Sequence, residues 1–347
     1  MFAVLPLPAN LAIFALMAIA VWIAGAKMAA YAEEIAERSG IGHAMAGLLL
    51  LAGVTSLPEI ATSFTSAING DSALAVNNLL GSIAMQVAVL AVADMIYHDR
   101  ALTSVVPDSI VILQGAVNVC LLSLTATAAI TGDVPLLSAG AWSWALAAAA
   151  VFAFRLLSKA RGRKPWTPNA EGLGEIVPGA RSETLKDVSH VVLGIKTGLA
   201  ALAILTAGSI VAVVSGVIAE QTGLGSSFVG VAFVAVATSL PEASTSFAAI
   251  SRGAYTLAIS DIFGTNVLNI ALIWMVDILA AGDPVLSSAG PFAAVGAMLG
   301  VLVTGLFLVG LAERRDRTIL RMGWDSAAVL LAYAGGLALL YTLRGTT

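Results

Sequence analysis

Long apolar runs follow one another along almost the whole of this 347-residue chain, separated only by short polar or Gly/Pro-containing intervals. A membrane-spanning helix needs about 20 consecutive apolar residues, and the runs favour ten such helices. Asp, Glu, Lys and Arg together make up only 11% of the chain, against roughly 25% in an ordinary soluble domain. The sequence therefore predicts an all-α polytopic membrane protein and argues against a soluble enzyme or a nucleic-acid-binding protein.

The basic residues predict how the helices are oriented, because cytoplasmic loops are enriched in Lys and Arg. With ten spans, successive loops alternate between the two sides, and 16 of the 17 Lys and Arg residues fall on the side of the polar interval 159–189. We therefore expect this basic linker to be cytoplasmic and both termini to lie outside the cell (inner or plasma) membrane. Membrane lipid is an expected partner, and no protein partner is evident.

The two halves of the chain contain related segments. Residues 36–94 align with residues 219–277 at a constant offset of 183, and 20 of the 59 aligned positions are identical. Because five predicted spans separate the copies, the second copy would cross the membrane in the opposite direction. The sequence thus predicts two inverted five-helix repeats, residues 1–158 and 190–347, an arrangement found in secondary transporters.

Each copy places a glutamate in the middle of an apolar helix. Glu59 and Glu242 end two identical motifs, Thr-Ser-Leu-Pro-Glu, at residues 55–59 and 238–242. A carboxylate at the bilayer centre costs at least about 2.5–3.5 kcal/mol unless it is paired, hydrated or neutralised. No Lys or Arg lies at matching depth in any predicted span. We therefore expect a bound cation or a proton to supply the compensating charge.

Neutral oxygen atoms accompany the two glutamates. Pro58 and Pro241 each remove a helical hydrogen bond and kink the helix, which disturbs the carbonyls of Ala52 and Ala235. Carbonyl, hydroxyl and carboxylate oxygens are the ligands that Ca²⁺ and Na⁺ prefer, and the next helix of each repeat adds hydroxyl and amide groups. The predicted cation ligands are Glu59, Glu242, Thr55, Thr238, Ser56, Ser239, Ala52, Ala235, Ser82, Thr265, Gln86, Asn269 and Asn266.

Two other aligned pairs of polar residues have less certain roles. Asn78 aligns with Asp261, one turn before the hydroxyl positions, and the pair either ties helices together or takes part in binding; both interpretations stay open. Asp94 and Asp277 lie near opposite membrane faces, where solvation at a helix end is expected. No P-loop or catalytic pattern is present, so we expect neither a cofactor nor enzymatic activity.

The motifs resemble the α-repeats of the calcium/cation antiporter superfamily, and of the bacterial or archaeal sodium/calcium exchanger family in particular. Two inverted Thr-Ser-x-Pro-Glu motifs carry the resemblance, each followed by a Gly-Ser/Thr motif at Gly81 and Gly264, and it covers most of the chain outside the linker. It implies a pocket formed by the second, third, seventh and eighth helices, in which the glutamates bind Ca²⁺ and share in Na⁺ binding. The first and sixth helices would be the sliding pair that gates access.

The chain departs from the family pattern at two places. Ile83 stands where the family usually has Asn, and the last site position is Gln86 and Asn269, where the family often has Asn in one repeat and Asp in the other. At the family's positions the pocket thus has two carboxylates and no third acid. The resemblance implies a Ca²⁺/Na⁺ antiporter; an H⁺-coupled exchanger of the same fold and, in a different class, a cation channel are the alternatives.

Overall fold

The structure is a computed structural model that describes residues 2–39, 52–97, 100–106, 108–160, 188–251, 253–319 and 321–344. Most of the linker predicted at 159–189 therefore lies outside the described residues. The described chain is almost entirely helical, apart from two antiparallel hairpins with two-residue strands.

The first half begins with a 3₁₀ turn at Phe2–Val4 and contains seven helices and one hairpin. In chain order they are α1 (Leu7–Ser39), α2 (Ala52–Thr55), α3 (Leu57–Ile68), α4 (Ser72–Tyr97), α5 (Leu102–Val105), α6 (Ile110–Thr131), β1 (Pro135–Leu136), β2 (Ala139–Gly140) and α7 (Ala141–Lys159).

The second half contains seven helices, one hairpin and a π-helical segment. In chain order they are α8 (His190–Thr222), α9 (Ser226–Val229), the π-helical segment (Gly230–Val234), α10 (Ala235–Thr238), α11 (Leu240–Ser251), α12 (Tyr255–Leu279), α13 (Val285–Glu313), β3 (Thr318–Ile319), β4 (Met322–Gly323) and α14 (Trp324–Leu343). The helices α1 and α8 both have 33 residues, and their first residues are separated by the same offset of 183 as the aligned motifs (190 − 7).

The structure confirms a multi-pass helical protein. Among the described residues, eight helices are long and apolar enough to cross a membrane: α1, α4, α6, α7, α8, α12, α13 and α14. The segments Ser226–Thr238 and Leu240–Ser251, which bend by 47° where they meet, make a ninth span if they are counted as one. The predicted second span falls partly on residues 40–51, which lie outside the described residues, so ten spans stays a prediction.

The helices α4 and α12 form the centre of the bundle. The apolar stretch of α4 is 78% buried and that of α12 is 67% buried, against 17–28% for α1, α7 and α14. Packed around this centre, α6 and α13 complete two large apolar clusters. The long helices α1 and α8 pack along each other at the side of the bundle, and each contacts a broken helix of the other half: α1 contacts α11, and α8 contacts α3.

Asp94 and Asp277 are buried in the structure, so the expectation that they are solvated at helix ends is wrong. The carboxylate of Asp94 accepts hydrogen bonds from the N–H groups of Leu102 (2.7 Å) and Gly323 (2.8 Å). At the equivalent place Asp277 accepts from the N–H groups of Val285 (2.8 Å) and Gly140 (2.7 Å). The two aspartates are buried because the first N–H groups of a helix have no partner within that helix and can donate to a carboxylate. Each aspartate thus ties its own half of the chain to the hairpin of the other half.

Candidate cation-binding site

Both Thr-Ser-Leu-Pro-Glu motifs interrupt their helices at the serine. Ser56 (φ −74°, ψ 1°) separates α2 from α3, and Ser239 (φ −83°, ψ 7°) separates α10 from α11. The proline two residues later has no N–H to donate to the carbonyl four residues before it, which explains why the break falls here. Glu59 and Glu242 consequently lie in the first turn after each break, and both are completely buried.

The thirteen predicted ligands all lie in the protein interior, and none exposes more than 1% of its surface. They belong to α2–α3, α4, α10–α11 and α12, which pack against one another across the two halves. The structure therefore brings together the elements that the sequence singled out.

On one side of the site the two halves are joined by hydrogen bonds. The hydroxyl of Ser239 donates to Oε1 of Glu59 (3.3 Å) and accepts from Nε2 of Gln86 (3.4 Å). The Oγ atom of Ser82 lies 3.4 Å from Oγ1 of Thr238. The glutamate of the first motif is thus held by a hydroxyl of the second motif.

The other side of the site has fewer polar contacts. The hydroxyl of Thr55 contacts the Glu242 carboxylate, but no hydrogen bond from the described residues reaches the side-chain polar atoms of Thr265, Asn266 and Asn269. An unsatisfied buried polar group costs about 1–3 kcal/mol, and such groups are rare in native proteins. The side-chain oxygens of these three residues, together with the Glu242 carboxylate, form a set of electron-pair donors suited to a cation.

The carbonyls of Ala52 and Ala235 are engaged within their own helices. The oxygen of Ala52 accepts from the backbone N–H of Ser56 (3.1 Å) and from its hydroxyl (2.7 Å). The oxygen of Ala235 accepts from the N–H of Ser239 (3.1 Å) and from the hydroxyl of Thr238 (3.4 Å). Because a carbonyl oxygen has two lone pairs, each would have to release a hydroxyl before it could bind an ion.

The electrostatics of the site are dominated by the two glutamates, which lie close enough to repel each other. Within the described ranges, no Lys or Arg side chain is buried, and no three His, Cys, Asp or Glu side chains converge on one point. A site with two carboxylates and neutral oxygens can be neutralised by one divalent cation or by two monovalent cations.

Glycine allows the close approach that brings α4 to the site. A Cβ atom at Gly81 would lie 2.6 Å from both Cα and O of Val231 in the π-helical segment, so no larger residue fits without a shift of backbone. Ser82 follows directly, and this approach places its hydroxyl next to Thr238.

The aligned pair Asn78 and Asp261, whose role the sequence left open, lies next to the site. Asn78 is completely buried, and its Oδ1 atom accepts a hydrogen bond from Thr238 (3.2 Å). Its counterpart Asp261 is also buried, and its Oδ2 atom accepts from Thr245 (2.9 Å). A third buried acid therefore lies beside the two glutamates, at a position that the family pattern did not indicate. The alignment at the offset of 183 identified both residues and left their role open.

The fold and the site together define a class: a multi-pass membrane protein with a buried acidic pocket between broken helices, as expected of a cation transporter. The family model described as "Sodium/calcium exchanger protein" matches residues 9–157 and 192–342. The chain belongs to this family, which confirms the assignment made from the motifs. Its relatives are antiporters and exchangers rather than enzymes.

Individual relatives resemble the chain over nearly its whole length. A protein assigned as an antiporter and named CaxA, from Alkalimonas amylolytica, is 26% identical over 335 residues, which cover 95% of this chain and 98% of the relative. Two solved structures of the sodium-calcium exchanger NCX_Mj, soaked with Na⁺ and Sr²⁺, match with TM-scores of 0.64 and 0.60. Both are 18% identical and cover 96% of this chain and 99% of NCX_Mj. At that identity the match establishes the fold.

Proposed function

We propose that this protein is a secondary-active antiporter that exchanges Ca²⁺ for Na⁺ by alternating access at a mid-membrane site built on Glu59 and Glu242. Ten transmembrane helices form two inverted five-helix repeats, with the linker 159–189 in the cytoplasm and both termini outside. Membrane lipid surrounds the protein, the transported cations are its substrates, and no cofactor takes part.

The observation that carries the proposal is the environment of Glu242. Its carboxylate is completely buried, is repelled by Glu59 and contacts the neutral hydroxyl of Thr55. An ionised carboxylate without a cationic partner is too costly to keep in a low-dielectric interior. Since no Lys or Arg is buried in the described part of the chain, a bound cation is the simplest compensating charge.

The same charge explains how exchange is coupled. The empty site carries two negative charges in a region that excludes water, and the energy of that state opposes its movement between the two sides of the membrane. A Ca²⁺ ion or two Na⁺ ions neutralise the site and remove this barrier. Each cation therefore allows the site to switch its access from one side of the membrane to the other, whereas the empty site keeps its access to one side. This difference is the requirement for exchange.

The crossed contacts between the two halves support the inverted repeat. Asp94 bonds to Gly323 of the second half, and Asp277 bonds to Gly140 of the first half. Both partners are separated by 183 residues from their counterparts (277 − 94 and 323 − 140). Reciprocal contacts of this kind are those expected when two halves are related by a two-fold axis.

The sliding pair proposed for gating is α1 with α8. A Cβ atom at Gly25 of α1 would collide with the ring of Pro241, and one at Gly208 of α8 would lie 2.8 Å from Cβ of Ala61. Each long helix thus closely approaches the broken helix that carries the glutamate of the other half. A shift of α1 and α8 along these contacts would open the site to one side and close it to the other.

The proposal is tested with purified protein in lipid vesicles loaded with Na⁺. An outward Na⁺ gradient should drive uptake of ⁴⁵Ca²⁺, and this uptake should be lost in Glu59→Gln. A suitable control is Glu220→Gln, because Glu220 is exposed on α8. Uptake that responds only to a pH gradient would assign H⁺ as the coupling ion, and Ca²⁺ flux that needs no counter-gradient would indicate a channel.

A further inference from the structure

Each of the two long helices ends in a side chain that bonds to the backbone just before the other long helix begins. An Nη1–H group of Arg38, in the last turn of α1, donates to the carbonyl oxygen of Val188 (2.9 Å), two residues before α8 begins. The Nε2 atom of Gln221, in the last turn of α8, donates to the carbonyl oxygen of Leu5 (2.8 Å), two residues before α1 begins. The two helices therefore run antiparallel to each other and are joined at both ends.

The two contacts are equivalent in the internal repeat. Arg38 and Gln221 are 183 residues apart (221 − 38), and so are their acceptors Leu5 and Val188 (188 − 5). The donors nevertheless differ chemically, because one is a charged guanidinium and the other is a neutral amide. What the two halves share is therefore the hydrogen bond and not the charge.

A buried polar neighbour holds each donor in place. The Nε atom of Arg38 donates to Oε1 of Glu34 (2.7 Å), one turn earlier in α1, and the Glu34 side chain is only 3% exposed. The side-chain oxygen of Gln221 accepts from Nδ2 of Asn10 (3.0 Å), which is a completely buried residue of α1. Different neighbours thus direct a donor to the same kind of acceptor at the two ends.

A bond at both ends fixes how the two helices are aligned along their common axis. Each helix has 33 residues and is about 50 Å long at 1.5 Å per residue. Because a hydrogen bond is made only within about 3.5 Å, an axial shift of one helix by a turn, about 5.4 Å, carries both donors away from their acceptors. In contrast, Gly25 and Gly208 approach the broken helices through apolar atoms of Pro241 and Ala61, and such contacts have no preferred direction.

From this geometry we infer that Arg38 and Gln221 are positioning residues of the gate. Their hydrogen bonds hold α1 and α8 in one axial register. Each long helix contacts the broken helix of the other half, α1 contacting α11 and α8 contacting α3. Both halves of the site therefore change their access together only while this register is kept. The inference rests on the proposed function, because it assumes that α1 and α8 form the gate.

Two matched double variants test the hydrogen bond of Arg38 apart from its charge. Glu34→Val with Arg38→Gln gives α1 the residues that α8 has at Val217 and Gln221, which removes both charges and keeps an amide that can donate to Val188. Glu34→Val with Arg38→Ala also removes the donor. In Na⁺-loaded vesicles we expect the first variant to take up ⁴⁵Ca²⁺ at the parent rate. The second should be about fivefold slower, the factor for one neutral hydrogen bond.

The other end is tested by Gln221→Ala, which should slow exchange about fivefold for the same reason. In all these variants the Ca²⁺ concentration for half-maximal exchange should stay as in the parent protein, because the positioning residues do not contact the ion. The control is Thr65→Val, which removes a hydrogen bond of α8 to α3 (Oγ1 of Thr65 to Oγ of Ser209, 3.1 Å) and should exchange at the parent rate.

Three results would overturn the inference. The first is the same exchange rate in the two double variants, since they differ only in the donor. The second is a Thr65→Val variant that is as slow as Gln221→Ala, since any lost hydrogen bond of α8 would then have this effect. The third is a changed Ca²⁺ requirement, which would show that these residues act on the ion site.

A measurement without transport separates this inference from the proposed function. Spin labels at the exposed positions Leu16 of α1 and Leu199 of α8, each changed to cysteine in a Cys120→Ser protein, report the distance between the helices by double electron–electron resonance. The distance distribution should broaden when both donors are replaced by alanine. If it broadens but the parent protein exchanges no Ca²⁺, the positioning role stands and the proposed function is wrong. If the parent protein exchanges Ca²⁺ and the distribution is unchanged, the proposed function stands and the positioning role is wrong.

Discussion

Glu242→Gln tests the central claim, because this substitution removes one negative charge from the site and keeps the shape of the side chain. The carboxylate contacts the neutral hydroxyl of Thr55, and no Lys or Arg is buried among the described residues, so we expect the ion to supply the compensating charge. A divalent and a monovalent charge about 4 Å apart attract each other by about 8 kcal/mol at an effective dielectric constant of about 20. If desolvation offsets three-quarters of this attraction, about 2 kcal/mol is lost, which weakens Ca²⁺ binding roughly 30-fold.

The assay is thermal unfolding of purified protein with and without Ca²⁺. At a Ca²⁺ concentration of about 100 times the dissociation constant, the parent protein gains about 2.7 kcal/mol, and a 30-fold weaker variant gains only about 0.9 kcal/mol. Without Ca²⁺ the variant should be more stable than the parent protein, because it no longer buries an uncompensated charge. Burying such a charge costs about 2.5–3.5 kcal/mol at the bilayer centre.

The exposed Glu220 supplies the control Glu220→Gln, which should behave like the parent protein with and without Ca²⁺. A Glu242→Gln variant that keeps the full Ca²⁺-dependent gain in stability would refute the reasoning, whatever its transport rate. A variant that is less stable than the parent protein without Ca²⁺ would show instead that Glu242 has a structural partner.

Three further substitutions test the gating contact, the crossed aspartates and the asymmetry of the site. Gly208→Ala should slow exchange without changing Ca²⁺ binding, because its Cβ would lie 2.8 Å from Cβ of Ala61 and overpacking costs about 1–3 kcal/mol. The control is Gly198→Ala, whose Cβ would have no atom within 4 Å; it should exchange at the parent rate. Asp94→Asn should lower the free energy of unfolding by about 1–3 kcal/mol, measured by thermal melting, since an amide nitrogen would face a backbone N–H; an unchanged melting temperature would contradict this role. Ser239→Ala should weaken Ca²⁺ binding about fivefold in a binding titration, because it removes the hydroxyl that contacts Glu59; an affinity equal to that of the parent protein would show that this contact does not hold the site.

A large part of the site is predictable from the sequence alone. The offset of 183 residues identified both glutamates and the hydroxyl and amide positions around them, and all thirteen are buried in the structure. This succeeds because a glutamate inside an apolar run is so costly that few arrangements can explain it. The prolines also predicted the positions of the helix breaks, because proline has no N–H and removes a hydrogen bond to the preceding turn of the same helix.

The sequence predicted less well what depends on contacts between distant segments. Asp94 and Asp277 were expected to be solvated, because each lies near the end of a span and their partners lie on other elements. Gly323 is 229 residues from Asp94, and no local pattern reports that the two meet. The role of Asp261 was similarly left open, because it depends on hydroxyls of another helix, α11, that lie near its carboxylate.

The sequence by itself determined that the chain lies in a membrane, that its halves repeat and that two acids lie deep within apolar helices. These properties follow from hydropathy and from the repeat, which are local or periodic features of the chain. Only the tertiary structure decided that the first motif's glutamate is held by a serine of the second motif, while the second motif's glutamate contacts a threonine of the first. Two identical motifs meet different neighbours once the chain is folded, and this difference cannot be read from either motif alone.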